Sequence, residues 1–187
     1  MAYKHGPWTI KETTRLYQNS LIDVQEDRVV RPDGQLGTYA TVAIKPGIAV
    51  LPIDDEGKVH LLKQFRYALG RESIEVVCGA IDGEEPPQEA ASRELKEELG
   101  IEALEWMDLG YFDLDTSIVC CPVYLFVAKG LRFTTTEQEG TETIKPLTIP
   151  LSVAVQKVIA SEITHGPSSV LILKADAAIG KGEVAMG

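Results

Sequence analysis

GAIDGEEPPQEAASRELKEELGI, from Gly79 to Ile101, is the stretch on which the reading of this chain turns. Gly79, Asp82 and Gly83 make a turn-rich lead into Pro86 and Pro87. The first helical turn tolerates proline because its N–H groups have no intrahelical partner. Alanine, glutamate and leucine carry a helix onward, and Gly100 stands where a left-handed C-terminal cap is wanted. On a wheel of roughly 100° per residue, Ala91, Leu95 and Leu99 form the face to be buried. Glu94, Glu97 and Glu98 crowd the neighbouring arc. Glu94 meets Glu97 at i+3 and Glu98 at i+4, which disfavours a bare helix, and only Arg93, at i−4 from Glu97, offers local relief. A divalent cation would neutralise the cluster, since hard ions such as Mg²⁺ take carboxylate oxygens together with substrate phosphates. The plain alternative is a solvated acidic face.

Working outward, residues 8–44 alternate as strands do: Trp8–Ile10, Leu21–Val24, Arg28–Val30 and Tyr39–Ile44, broken at Pro32–Asp33–Gly34 and Gly37. This predicts a small antiparallel meander over residues 1–45, with a limited core of its own. Such a sheet must pack on the main domain or on a second subunit. From Ile48 the pattern becomes a continuous apolar run to Ile53, consistent with a strand covered on both faces. Further strands are expected at Val59–Tyr67, Ile74–Cys78, Glu105–Phe112, Val119–Ala128 and Leu147–Ile149. His60 reads as an ordinary strand residue. Lys129 to Thr143 reads as a polar loop bearing Glu137, Glu139 and Glu142. Pro150 and Pro167 each begin a helix, the second running through Ala178, and the tail from Gly180 looks frayed. Residues 46–187 thus form the second, larger domain.

The chain of 187 residues is 44% hydrophobic and 25% charged, ordinary values that allow a sizeable core. Its formal net charge of −10 argues against a nucleic-acid duplex or an anionic membrane as partner, since both reward basic patches. An anionic substrate would have to be met by metal ions and a few local arginines. No apolar run has the length of a membrane span, and MAYKHGPWTI lacks a signal-peptide core. Cys78, Cys120 and Cys121 have no metal-ligand spacing and read as reduced thiols of a cytoplasmic protein.

Gly79, Glu85, Arg93, Glu94, Leu95, Glu97, Glu98, Gly100 and Ile101 fill every fixed position of Gly-x5-Glu-x7-Arg-Glu-U-x-Glu-Glu-x-Gly-U, where U is aliphatic. A chance match in a chain this size is on the order of one in a million. The stretch resembles the signature of the Nudix hydrolases, and residues 8–178 are similar to their ADP-ribose pyrophosphatase-like, nucleoside diphosphate sugar branch. The resemblance implies an α/β/α sandwich, a mixed sheet between helices, behind an antiparallel meander that exchanges between subunits of a homodimer. It implies hydrolysis of the diphosphate bond of a nucleoside diphosphate sugar, with ADP-ribose giving AMP and ribose 5-phosphate, using two or three Mg²⁺ or Mn²⁺ ions. Glu94, Glu97 and Glu98 then correspond to metal ligands, Arg93 orients Glu97, and the Cys78 carbonyl stands where a further ligand is supplied. Glu142, then Glu139, correspond to the general base, and Arg66 and Glu75 to substrate contacts. Val77 and Cys78 replace the branch's usual proline and alanine, and Asp115 to Cys121 replaces its Ser-Pro-Gly turn. Those departures leave open a Nudix enzyme acting on another nucleoside di- or triphosphate derivative. A non-catalytic nucleotide-binding module is the third possibility.

Overall fold

Alternation, proline and glycine punctuate the chain, and the computed structural model, which describes residues 2–136 and 144–180, follows that punctuation closely. The strands in order are β1 (Tyr3–His5), β2 (Trp8–Gln18), β3 (Ile22–Val30), β4 (Leu36–Ile44), β5 (Gly47–Pro52), β6 (Lys58–Arg66), β7 (Arg71–Glu75), β8 (Val77–Ala80), β9 (Ile101–Asp113), β10 (Val119–Cys120), β11 (Pro122–Phe133) and β12 (Lys145–Pro150). The helices are α1 (Pro87–Leu99), α2 (Leu151–Ile159) and α3 (Gly166–Gly180), with a single 3₁₀ turn at Tyr67–Leu69. The chain forms two compact units, Met1–Lys45 with Asp113–Pro122, and Pro46–Phe112 with Val123–Gly187.

The first unit is one sheet in the order β1-β2-β3-β4-β10, antiparallel except that β10 runs parallel to β4 with Val119 opposite Val42. Gly34, at φ 83°, closes the β3–β4 hairpin. β2 and β3 outrun the apolar alternation because polar pairs extend their ladder: Glu12 with Arg28, Thr13 with Asp27, and Arg15 with Asp23. Among the described residues, the hydrophobic side chains that this unit buries are Ile10, Val29 and Cys121. A cavity of about 390 Å³ opens beside Trp8 and Tyr39, whose rings meet edge to face at 5.4 Å.

The second unit holds a mixed sheet, β8-β5-β11-β9, and an antiparallel sheet, β12-β6-β7. In the mixed sheet β5 pairs parallel with β11 and antiparallel with β8. Ile48 to Leu51 are fully buried, as the continuous apolar run predicts. Successive side chains of a strand point to opposite faces. Ile48 and Val50 join Ala90, Ala91 and Leu95 of α1 in one core, and α3 packs on the same strand. The α/β sandwich expected from the sequence is therefore present, with its sheet divided in two.

Three strand assignments need correction. Ile74–Cys78 is not one strand: Glu75 ends β7 and Val77 begins β8, so the chain changes sheet at Val76. Val119–Ala128 divides at Cys121, with β10 in the first unit's sheet and β11 in the mixed sheet. Lys129 is not the start of a loop, because β11 continues to Phe133 and Gly130 accommodates Leu104, which a Cβ there would meet at 3.0 Å. Glu137, Glu139 and Glu142 lie outside the described residues, as does the tail from Lys181. Among the described residues, no helix is long and apolar enough to cross a membrane.

Candidate active site

Helix α1 starts and stops where its residues require. Pro86 is the N-cap and Pro87 the first helical residue, and Gly100 closes the helix in the left-handed conformation at φ 62°. Ala90, Ala91 and Leu95 are buried against Ile48, Val50 and Phe126. Leu99 is only half-buried, and Glu98 is the residue that goes under, at 4% exposure. A charge is expensive to bury without compensation. Glu98 therefore marks where the apolar face of α1 turns into a polar site.

Arg93 organises that site. Its Nε and Nη2 donate to the two carboxylate oxygens of Glu85, both at 3.2 Å, and Nη2 also donates to the Ala80 carbonyl at 3.2 Å. Its Nη1 donates to Glu94 Oε1 at 2.7 Å and to Glu97 Oε2 at 3.1 Å. One guanidinium fork thus fastens the lead loop, the strand before it and two helix carboxylates. Glu85 raises the Arg93 pKa most, burial opposing, and in return Arg93 holds the Glu85 carboxyl below its usual range. Glu85 was visible in the sequence only as a spaced position, since its bond to Arg93 crosses the whole loop.

Gly79 makes room for Glu94. A Cβ at residue 79 would stand 2.1 Å from both Cδ and Oε1 of Glu94, so that carboxylate lies directly over the β8 backbone. Next to it, burial pushes the Cys78 thiol well above its ordinary pKa, and the charges of Glu98 and Glu75 push in the same direction. A protonated thiol is a poor nucleophile, so any part Cys78 plays falls to its main chain.

Arg66 ends β6 and Glu75 ends the adjacent β7. Arg66 Nε lies 3.1 Å from each Glu75 oxygen, and Nη2 donates to Oε2 at 2.5 Å. Glu75 is 1% exposed, whereas the Arg66 side chain is 37% exposed, so the arginine is the member of the pair that faces outward. Burial opposes ionisation of Glu75, but the Arg66 hydrogen bonds keep its pKa below the ordinary carboxylate value. The Glu98 charge in turn acts on Arg66, which brings the strand pair and the helix carboxylates into one electrostatic neighbourhood.

Among the described residues, no three His, Cys, Asp or Glu side chains are already gathered closely enough to hold a metal ion. The donors nevertheless fit a hard ion. Glu98, Glu94 and Glu97 offer oxygen only, and their side chains grade from buried Glu98 to Glu97 at 38% exposure. Such an open, one-sided carboxylate set suits Mg²⁺, which keeps waters and shares substrate phosphates. Of the residues singled out from the sequence, Arg93, Glu94 and Glu97 are in direct contact, Arg66 and Glu75 form a second pair, and Glu98 and Cys78 share the field between them. Glu139 and Glu142 lie outside the described residues. His165 and Ser168, which bond next to Glu75, carried no signal, because chain separation hides such contacts.

Residues 43–154 match the NUDIX domain, and residues 8–42 match the nucleoside diphosphate sugar hydrolase N-terminal domain. A protein of Mycobacterium tuberculosis (strain ATCC 25618 / H37Rv) named ADP-ribose pyrophosphatase is 32% identical over 130 residues, 69% of this chain and 62% of that protein. A protein of Bacillus subtilis (strain 168) with the same name is 28% identical over 160 residues, covering 84% of this chain and 86% of its own length. The methanol dehydrogenase activator of Bacillus methanolicus is 33% identical over 125 residues, 66% of each chain. In fold, the chain is similar to a crystal structure titled ADP compounds hydrolase, with a TM-score of 0.82 at 20% identity, over 97% of this chain and 100% of the other. With the complete carboxylate signature mounted on α1 and the domain model matching most of the chain around it, this protein belongs to the Nudix hydrolase family.

Proposed function

We propose that the protein hydrolyses the diphosphate bond of a nucleoside diphosphate sugar, ADP-ribose giving AMP and ribose 5-phosphate. The observation that carries this reading is the gathering of Glu94 and Glu97 by Arg93 over the side-chain-free backbone of Gly79, beside buried Glu98. The names of two relatives, both ADP-ribose pyrophosphatases, support the choice of substrate.

Glu94, Glu97, Glu98 and the Cys78 carbonyl would hold two or three Mg²⁺ or Mn²⁺ ions. When bound, such ions neutralise phosphoryl oxygens and lower the pKa of a coordinated water. Arg93 keeps Glu94 and Glu97 together and turned toward the site. Arg66 meets the negative charge of the diphosphate, and Glu75 fixes its direction. A carboxylate of the segment 137–143, Glu142 first and Glu139 second, takes the proton as the water oxygen attacks phosphorus and the bridging P–O bond breaks. A helix carboxylate bound to a cation is a weak proton acceptor, which is why the base is sought elsewhere.

Residues 1–45 are assigned to dimerisation and residues 46–187 to hydrolysis, in a cytoplasmic homodimer; the free thiols of Cys78, Cys120 and Cys121 support that compartment. Val77 and Cys78, in place of proline and alanine, favour a second reading with another nucleoside diphosphate derivative as substrate. A panel of ADP-ribose, ADP-glucose, UDP-glucose, GDP-mannose, NADH and nucleoside triphosphates, assayed with Mg²⁺ and after chelation, separates them. The largest kcat/KM should fall on ADP-ribose and vanish with chelator. Preference for a triphosphate, or turnover in chelator, would contradict the proposal.

A further inference from the structure

Val76 sits where the chain passes from one sheet to the other, and its N–H donates to Ser168 Oγ on the first turn of α3 at 2.9 Å. Ser168 is fully buried. The same Oγ lies 2.8 Å from His165 Nδ1, and that nitrogen lies 3.6 Å from Glu75 Oε2, the oxygen that accepts Arg66 Nη2. A buried N–H needs an acceptor, which accounts for Ser168 but leaves the imidazole unexplained. Burial holds His165 below its ordinary pKa even though the Glu75 charge pulls the other way. The ring is therefore neutral at pH 7 with Nδ1 engaged by Ser168 Oγ, so at 3.6 Å it meets the Glu75 carboxylate as a packing contact that limits its motion, not as an ion pair or a hydrogen bond.

We infer that His165, held by Ser168, is a positioning residue for Arg66: it fixes the Glu75 carboxylate from the α3 side, so that Arg66 has one direction toward a substrate phosphate. The inference rests on the proposed role of Arg66 at the diphosphate. It ties the second unit's last helix to the substrate site through one ring and one carboxylate.

The test uses the full chain with ADP-ribose and Mg²⁺. His165→Ala should raise KM about tenfold with kcat held within about twofold, the pattern of a lost binding contact. His165→Gln, which returns a polar group at similar reach, should recover KM to within about threefold of the parent. In an Arg66→Lys background the alanine change should add nothing, because the ring acts only through the guanidinium. A substrate-free readout is hydrogen exchange at the Arg66 Nε–H by NMR, assigned by its loss in Arg66→Lys, and His165→Ala should accelerate it. Unchanged exchange, or an equal KM effect with and without Arg66, overturns the inference. Faster exchange with an unaltered KM removes Arg66 from the substrate and overturns it as well. Faster exchange in a protein that turns over no diphosphate sinks the proposed activity and leaves the positioning role standing.

Discussion

Two glycines flank the carboxylate helix, and their substitutions should fail in different ways. At Gly79 an added Cβ meets the far end of Glu94, Cδ and Oε1 at 2.1 Å, and a flexible side chain can swing aside. Gly79→Ala should therefore keep its Tm within a few degrees while activity falls about tenfold or more, because the displaced group is a proposed ligand. At Gly100 the φ of 62° already disfavours a side chain, and the added Cβ meets main-chain atoms, Thr134 O at 2.6 Å and Thr135 C at 3.0 Å. Gly100→Ala should lower stability by about 1–3 kcal/mol, read as a shift in urea midpoint at constant m. Glu98→Gln should reduce kcat about a hundredfold with the fold intact, and unchanged turnover would remove Glu98 from the site. The carboxylates were legible because helical spacing is local. The hold of Arg93 on Glu85 and on the Ala80 carbonyl was not, since both bonds cross a loop whose path no periodicity describes.

At the level of elements, α1 was legible from its prolines and terminal glycine, and β5 from an apolar run that two helices cover. The breaks at Val76 and Cys121 were not. Both stretches are mostly apolar, with Glu75 in the first and Pro122 in the second, and a change of partner sheet leaves no mark on alternation. The Val76 break matters for stability because α3 closes it through Ser168 and His165. The folded pKa of His165 lies below its ordinary value of 6.5. Above that pH the ring is neutral in both folded and unfolded chains. Below it the unfolded chain binds a proton that the folded chain resists, so stability falls as the medium acidifies. Glu75, with a folded pKa below 4.5, adds a further loss as the pH drops through that folded value. Urea unfolding should thus show stability declining from pH 7 to pH 5, and His165→Gln should flatten that slope. An identical slope in the variant would show that other groups govern it.

For the molecule as a whole, the first unit's buried hydrophobic residues, Ile10, Val29 and Cys121 among the described residues, are few for a sheet that leaves Leu16, Tyr17, Leu21 and Leu36 exposed. A sheet with so small a core gains by burying its apolar side chains against a second copy. Light scattering at micromolar concentration should give a mass about twice 20.4 kDa, and a mass near 20.4 kDa would contradict dimerisation. With a net charge of −10, the recognition of an anionic substrate would be left to the few groups at the site. The Gly100 cap that ends α1 also holds the chain as it leaves β11. The Thr134 N–H donates to the Gly100 carbonyl at 2.6 Å and its hydroxyl donates to the same oxygen at 3.1 Å. Beyond residue 143 the chain enters β12, with Lys145 opposite Lys63. The chain on either side of residues 137–143 is therefore fixed independently, at Thr134 and at Lys145, and changes between those points that keep Glu139 and Glu142 should leave α1 in register. Substrate preference can then diverge, in nature or in the laboratory, without the hydrolytic apparatus having to be rebuilt.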